Sequence, residues 1–371
     1  SICIGSSPNN LNIIGSGNPA VQNRLITIRD TTSVEALKLK LSSCRRIAII
    51  GNGGISLELA YRISNCEKIW IVRDEFIGHP FLDSAASKFV IDSLHRDDMH
   101  NERQGGQIQF ISPDSNRLNT YGPALGPYWL QKQDLKGVHH PEEELQIIYQ
   151  STVEQVVARE NHEWPLCLVL SNGQNIECDF LVSAIGVSPN TIDTYGDKLE
   201  TSDGGIIIDE QMRTSLCDVY AAGDVVSCKN WSTNSLWFQM RLWTQARQMG
   251  YYCGRCIASH LTKADPSIYF NFDCFTHCTN FFGRKIVLLG LYNLQKQQNN
   301  QTRDLEIQAR VKADQDYVKL VIQDDRVIGA ILVGDSGLEE TIENLIHDQT
   351  DIGPIKHQLL DETVDIDEYF D

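Results

Sequence analysis

The residues whose types and spacing suit them to chemistry begin with Gly51, Gly53 and Ser56, in the run "IAIIGNGGISLELA". A glycine at the first position permits a tight turn, and one at the second lets the backbone approach a pyrophosphate. The third position requires close packing of helix on strand, which a small serine still allows. A helix starting here, with Ile55 in its first turn, points its N-terminal amides at bound phosphates. Dinucleotide binding is the chemistry this pattern serves. Arg73 then stands where the second strand of such a unit ends. From that place an acid grips a ribose 2′-hydroxyl, whereas an arginine accommodates a 2′-phosphate. Asp74 beside it keeps both NADH and NADPH open.

Thiols and histidines offer weaker constellations. Cys253 and Cys256 form a C-x-x-C, and "CFTHC" runs from Cys274 to Cys278. Together they have the types for a redox pair or a zinc site. The C-x-x-C falls deep inside a helical pattern, where no helix-terminal field lowers a thiol pKa, so buried structural cysteines are expected and no metal. His277 is a lone histidine, for which a structural place is the expectation.

A second glycine motif is more specific. "TSLCDVYAAGDVV", Thr214 to Val226, sets a β-rich run, Val219–Ala222, before Gly223-Asp224 and a later helical pattern. Gly223 lets the backbone approach a ligand, and Asp224 can accept a hydrogen bond from a ribityl hydroxyl. This stretch resembles the second FAD fingerprint of the two-dinucleotide-fold flavoprotein reductases, the pyridine nucleotide-disulfide oxidoreductase family. "LVSAIGVSPN", which contains Gly186, resembles that family's crossover from the nicotinamide domain to the flavin domain. "ICIGSSP", which contains Gly5, resembles the matching segment on the way out. The three occur in family order, and the resemblance covers nearly the whole chain. "ALGPYW", "MRLWTQARQMG" and the terminal "DIDEYFD" narrow the match within the family.

The resemblance implies an FAD-dependent NAD(P)H oxidoreductase that passes a hydride from nicotinamide to flavin and electrons to an acceptor. Glu58 matches a carboxylate that family members set near the two rings. Trp237 falls near the start of the helix after Asp224, whose amides abut the flavin in relatives. His277 matches the region that faces the flavin across a dimer interface. Trp231 and Trp243 are expected in the core, and Arg241 and Arg247 in ion pairs with neighbouring acids. The redox C-x-x-x-x-C of disulfide reductases would lie upstream of Ser1, and close relatives lack it, which implies oxygen, quinone-like or other acceptors. The C-terminal histidine–glutamate acid pair of glutathione-reductase-like members has no counterpart in these residues.

Ser1 falls near the end of the segment that holds the family's first glycine loop, so the N-terminal FAD-binding βαβ unit is expected to be missing. The alternative to an enzyme is therefore a flavin-free, truncated form acting as a nucleotide-responsive binding module. Further implications are redox protection in cytoplasm and nucleus, an association with the tRNA ligase complex, and a homodimer.

Bulk properties narrow the partners. The chain has 371 residues, with 32 Lys and Arg against 49 Asp and Glu, a formal net charge of −17. Such a surface repels phosphate backbones, which argues against direct nucleic-acid binding. No apolar run is long enough to span a bilayer, and no secretory leader is expected. Eleven scattered cysteines fit a reducing compartment and free thiols.

The elements that must position these residues form an α/β, two-dinucleotide-binding-domain flavoprotein fold with a C-terminal α+β domain. A split FAD-binding domain is expected over 1–43 and 187–265, and an NAD(P)H-binding domain over 44–186 with an insertion at about 96–144. The C-terminal domain covers 266–371 and ends in an acidic tail. Apolar periodicity predicts strands at Ile47–Ile50 and Lys68–Val72, and β-rich runs between Leu145 and Val187. It predicts helices at Thr32–Leu41, Leu236–His260 and Leu338–His347, and an antiparallel sheet after the "KADPS" break.

Overall fold

The computed structural model describes residues 1–97, 135–138, 145–191, 199–229, 231, 236–264, 272–296, 304–361 and 363. Most of the expected insertion, including "ALGPYW", and most of the acidic terminal run lie outside these residues. The chain forms two compact units, Pro8–Val187 and Ser1–Ser7 with Ser188–Asp371. It crosses from one to the other at β1 (Ser6–Pro8) and at β10 (Val187–Pro189).

The Pro8–Val187 unit contains α1 (Pro19–Gln22), β2 (Leu25–Thr27), α2 (Thr31–Leu41), β3 (Arg46–Ile50), α3 (Gly54–Arg62), β4 (Glu67–Ile71), α4 (Ser84–Asp97) and β5 (Leu145–Ile148). β6 (Val153–Ala158), β7 (Leu166–Leu170), β8 (Asn175–Cys178) and β9 (Phe180–Ser183) complete it. Its main sheet has the order β2-β9-β3-β4-β5, and every pairing is parallel. Parallel sheets bury both faces, which explains why β3 ("RIAII") is an unbroken apolar run from Ile47 onward. α2 starts at a reciprocal cap: the Asp30 carboxylate accepts from Ser33 N, and Ser33 Oγ accepts from Asp30 N. The sequence drew a boundary at 44, yet β2 pairs with β9 and α2 packs on β2. Residues 8–43 therefore belong to the unit that carries the glycine loop.

Two hydrophobic cores occupy the other unit. The first gathers Ile206, Tyr220, Trp237, Tyr252 and Phe272 around β11 (Thr201–Ser202), β12 (Gly205–Ile207), β13 (Val226–Ser227) and the 20-residue α5 (Trp243–Thr262). The second lies under an antiparallel sheet of β14 (Thr276–Phe281), β15 (Arg284–Gly290), β16 (Leu305–Lys312), β17 (Asp316–Gln323) and β18 (Arg326–Gly334). Its strand order is β14-β15-β18-β17-β16. α6 (Glu339–Asp348) covers one face with Ile342, Leu345 and Ile346, and its first-turn Glu339 and Glu340 complement the helix dipole.

The helix expected from Leu236 begins seven residues later, at Trp243. Hydrogen bonds hold the intervening backbone out of the helix. The Gln245 side chain accepts from Met240 N and donates to Phe238 O. Gln239 accepts from Cys228 N and donates to Val226 O. Leu236 N donates to Asp273 O, and Phe275 N donates to Leu236 O. The Gln245 side chain and the backbone of Asp273 and Phe275 thus take groups a helix would have used, while Gln239 ties the segment to Val226 and Cys228.

Candidate functional site

In the Pro8–Val187 unit the glycine loop leaves the C-terminal end of β3, the middle strand of five. Strand order reverses there, with β4 on one side and β9 on the other, which is where ligands enter doubly wound sheets. Gly51 has φ +129°, and a methyl group on it would lie 2.2 Å from Ala184 O and 2.9 Å from Ser56 Oγ. Only glycine fits between the loop and the end of β9. At Gly53 the same methyl would meet nothing within 4 Å, so the backbone there is open to a bound group. Gly53 is also the N-cap of α3, and no side chain caps that helix. Its first-turn amides, flanked by Ile55, are available to an anion.

The loop is braced by side chains that sequence reasoning missed. Asn52 Nδ2 donates to Asp74 Oδ2 and Phe76 O, while its Oδ1 accepts from Gly78 N. Trp70 Nε1 donates to Gly51 O at 2.7 Å. Beneath the loop, the buried hydroxyls of Ser56 and Ser183 have no hydrogen-bond partner among the described residues. Such groups are ordinarily satisfied by a ligand or an ordered water. Arg73 is 80% exposed, with Nε 3.8 Å from Asp74 Oδ1. Asn52 holds the other oxygen of Asp74, so Arg73 projects at the end of β4 only loosely tethered. Glu58 lies half-buried on α3, one turn beyond the loop. Gly186, φ +95°, carries a carbonyl that accepts from Asn9 N.

The other unit assembles a second arrangement around Gly223, whose φ of +83° turns the chain after Ala222. Asp224 Oδ2 accepts a 2.9 Å hydrogen bond from Ser6 Oγ, across 218 residues of sequence. Arg241 Nε donates to Asp224 O. Gly5, φ +67°, accepts from Asn190 N, and Asn190 Nδ2 donates to Ile4 O. Asn190 Oδ1 in turn accepts from Ser7 Oγ. Ser6 and Asn190 lie in the crossover segments, but no local pattern singles them out. A methyl on Gly223 would lie 3.6 Å from Ala246 Cβ, so this turn abuts the first turn of α5. That helix, too, starts without a side-chain cap.

The remaining expected residues settle as follows. Trp237 lies six residues ahead of α5 and packs in the core, stacked on Trp231 at 5.1 Å. Arg247 lies over the Trp243 ring and Arg241 reaches a carbonyl; among the described residues neither pairs with the acid expected of it. Burial pushes the Cys253 thiol up to about 11 and raises Cys256 as well, the opposite of an activated pair. Cys274 is buried and Cys278 exposed, and all eleven cysteines are free thiols. Burial holds the His277 imidazole down at about 4. Among the described residues no three metal-ligating side chains cluster, and no helix is long and apolar enough to cross a membrane.

This geometry has counterparts among known proteins. A family profile described as pyridine nucleotide-disulphide oxidoreductase matches residues 2–106 and 135–250. The chain belongs to the pyridine nucleotide-disulfide oxidoreductase family. A second profile, the rubredoxin NAD+ reductase C-terminal domain, matches residues 281–350. Similar relatives carry the name pyridine nucleotide-disulfide oxidoreductase domain-containing protein 1. The one from Danio rerio is 39% identical over 391 residues, covering all of this chain and 77% of its own length. The one from Mus musculus is 38% identical over 402 residues, covering all of this chain and 78% of its own.

Among solved structures, the covalent putidaredoxin reductase–putidaredoxin complex matches with a TM-score of 0.69 at 18% identity, over 99% of this chain and 72% of that one. The water-forming NADH oxidase from Lactobacillus brevis bound to NADH matches at 0.65 and 19% identity, over 95% and 68%. At these identities the likeness is one of fold. The family's cofactors are FAD and NAD(P)H. The residues present fit both groups: an open, uncapped glycine loop over two orphaned hydroxyls for the nicotinamide dinucleotide, and the Gly223 turn with its oriented carboxylate for the flavin.

Proposed function

We propose that the protein is an FAD-dependent NAD(P)H oxidoreductase. The arrangement of Ser6, Gly223 and Asp224 carries this reading, because it supplies a flavin-type site in addition to the nucleotide loop. When bound, the two cofactors supply the redox chemistry, a hydride passing from nicotinamide to flavin and electrons onward to an acceptor such as oxygen or a quinone-like molecule. The chain's own residues hold and orient. Gly51 and Gly53 let the backbone close on a pyrophosphate whose charge the uncapped start of α3 favours. Arg73 and Asp74 face the adenosine ribose, and the exposed guanidinium supports a 2′-phosphate.

Asp224, oriented by the Ser6 hydroxyl, accepts from a ribityl hydroxyl. The uncapped start of α5 places partial positive charge close to the Gly223 turn, where it favours negative charge on a bound ring system. Glu58, one helical turn past the loop, positions the nicotinamide. The same reading extends to redox protection in cytoplasm and nucleus, in association with a tRNA ligase complex. It rests there on likeness to relatives. The test is the visible spectrum of the purified chain. Bound-flavin absorption that bleaches anaerobically on adding NADH or NADPH is the expected result; a colourless protein that takes up no FAD overturns the reading.

A further inference from the structure

We infer that Asn52, the residue between the two loop glycines, sets the choice between NADH and NADPH by tying the Asp74 carboxylate back onto the protein. The inference rests on the dinucleotide reading of the glycine loop and adds to it a positioning residue that touches no reacting atom. At the end of the second strand an acid grips a ribose 2′-hydroxyl and repels a 2′-phosphate, whereas an arginine does the reverse. This chain carries both, Arg73 and Asp74, side by side. Their side chains are held very differently: that of Arg73 is 80% exposed and that of Asp74 only 21%.

Asn52 Nδ2 donates to Asp74 Oδ2 and to Phe76 O, each at 2.8 Å, and its Oδ1 accepts from Gly78 N at 2.6 Å. These three bonds fix the amide. Turned over, it would set its oxygen against the Asp74 carboxylate and the Phe76 carbonyl. Gln150 N donates to Asp74 O at 3.2 Å and pins the same residue from beyond β5. The next acid along is engaged as well, with Gln150 Nε2 donating to Glu75 Oε1 at 3.4 Å. The second Asp74 oxygen, Oδ1, lies 3.8 Å from Arg73 Nε, longer than a hydrogen bond. The guanidinium is therefore the charge presented outward, and its planar fork matches a phosphate. Loss of the Asn52 amide would release a carboxylate at the same place. There it would compete for Arg73, accept from a 2′-hydroxyl and repel a 2′-phosphate. A residue that merely shaped the loop would alter both cofactors alike.

Isothermal titration calorimetry with ADP-ribose and 2′-phospho-ADP-ribose tests this, because the two ligands carry the adenosine ends of the two dinucleotides and need no flavin. Wild type should bind the 2′-phosphorylated ligand more tightly. Asn52→Ala should move the affinity ratio toward ADP-ribose by about tenfold, and Asn52→Ala/Asp74→Asn should return it to within about threefold of wild type. Asn52→Asp keeps the shape and the acceptor for Gly78 N but sets two carboxylates together. It should move the ratio in the same direction, and it decides the matter if the alanine variant does not fold. Equal weakening of both ligands, a shift that persists in the double variant, or a wild type that prefers ADP-ribose overturns the role of Asn52 and leaves the glycine-loop reading standing. A wild-type chain that binds neither ligand overturns both.

Discussion

The two nucleotide-type arrangements in this protein solve one problem in opposite ways. The glycine loop is local: β3, the turn, α3 and β4 all fall within Arg46–Ile71, and its bracing residues follow by Gly78. The Gly223 arrangement is non-local: Ser6 reaches Asp224 across 218 residues, and the nearest helix start comes 19 residues after Asp224. The tolerances differ as well. Gly51 is wedged against the Ala184 carbonyl, whereas Gly223 faces a methyl at ordinary contact distance. A local site can be braced by side chains a few residues away and closed by one tight approach from Ala184. A distant one is held by hydrogen bonds whose partners arrive only when the whole unit closes.

The strongest way to break this comparison is to put the same methyl in both places. Gly51→Ala combines a forbidden φ with a 2.2 Å approach to backbone, so it should destabilise the protein by about 3 kcal/mol or more. Gly223→Ala meets only the strain of its left-handed φ and should cost about 1 kcal/mol. Denaturant unfolding of the two variants reads the difference; equal losses would erase the distinction.

Acid distinguishes the units next. His277, on β14, is held neutral by burial, with a pKa lowered from 6.5 to about 4. In that window the unfolded chain binds a proton that the folded one refuses. Stability is therefore intact above pH 6.5, falls as pH drops, and levels off below about 4. The slope contributed is at most about 1.4 kcal/mol per pH unit. Unfolding of wild type and His277→Gln across this range should show the slope flattening in the variant.

The smallest effect concerns choice of cofactor. Arg73 is exposed and only loosely held by Asp74, so Arg73→Glu should leave stability within about 0.5 kcal/mol of wild type. It should move relative kcat/KM toward NADH by about tenfold, the loss of one phosphate contact. Unchanged ratios would remove Arg73 from the nucleotide site.

Legibility followed the same divide. Gly51, Gly53, Ser56 and the flanking strands could be read directly, because the glycine spacing and the apolar runs that mark them lie in consecutive residues. Periodicity failed over 236–242. The Gln245 side chain and the backbone of Asp273 and Phe275 take that segment's hydrogen bonds, and no local pattern encodes such partners. Cys253 and Cys256 could be read as buried from their depth in a helical pattern, and burial does raise their thiols.

By itself, the sequence determined the glycine loop with its flanking strands and the antiparallel C-terminal sheet. Side-chain size and apolar period act over one turn of helix or one strand, and both are written in consecutive residues. Tertiary structure alone decided that residues 8–43 join the glycine loop's sheet and that α5 starts at Trp243. It alone brought Ser6 to Asp224. Each of these is fixed by which distant backbone and side-chain groups meet once the chain has closed.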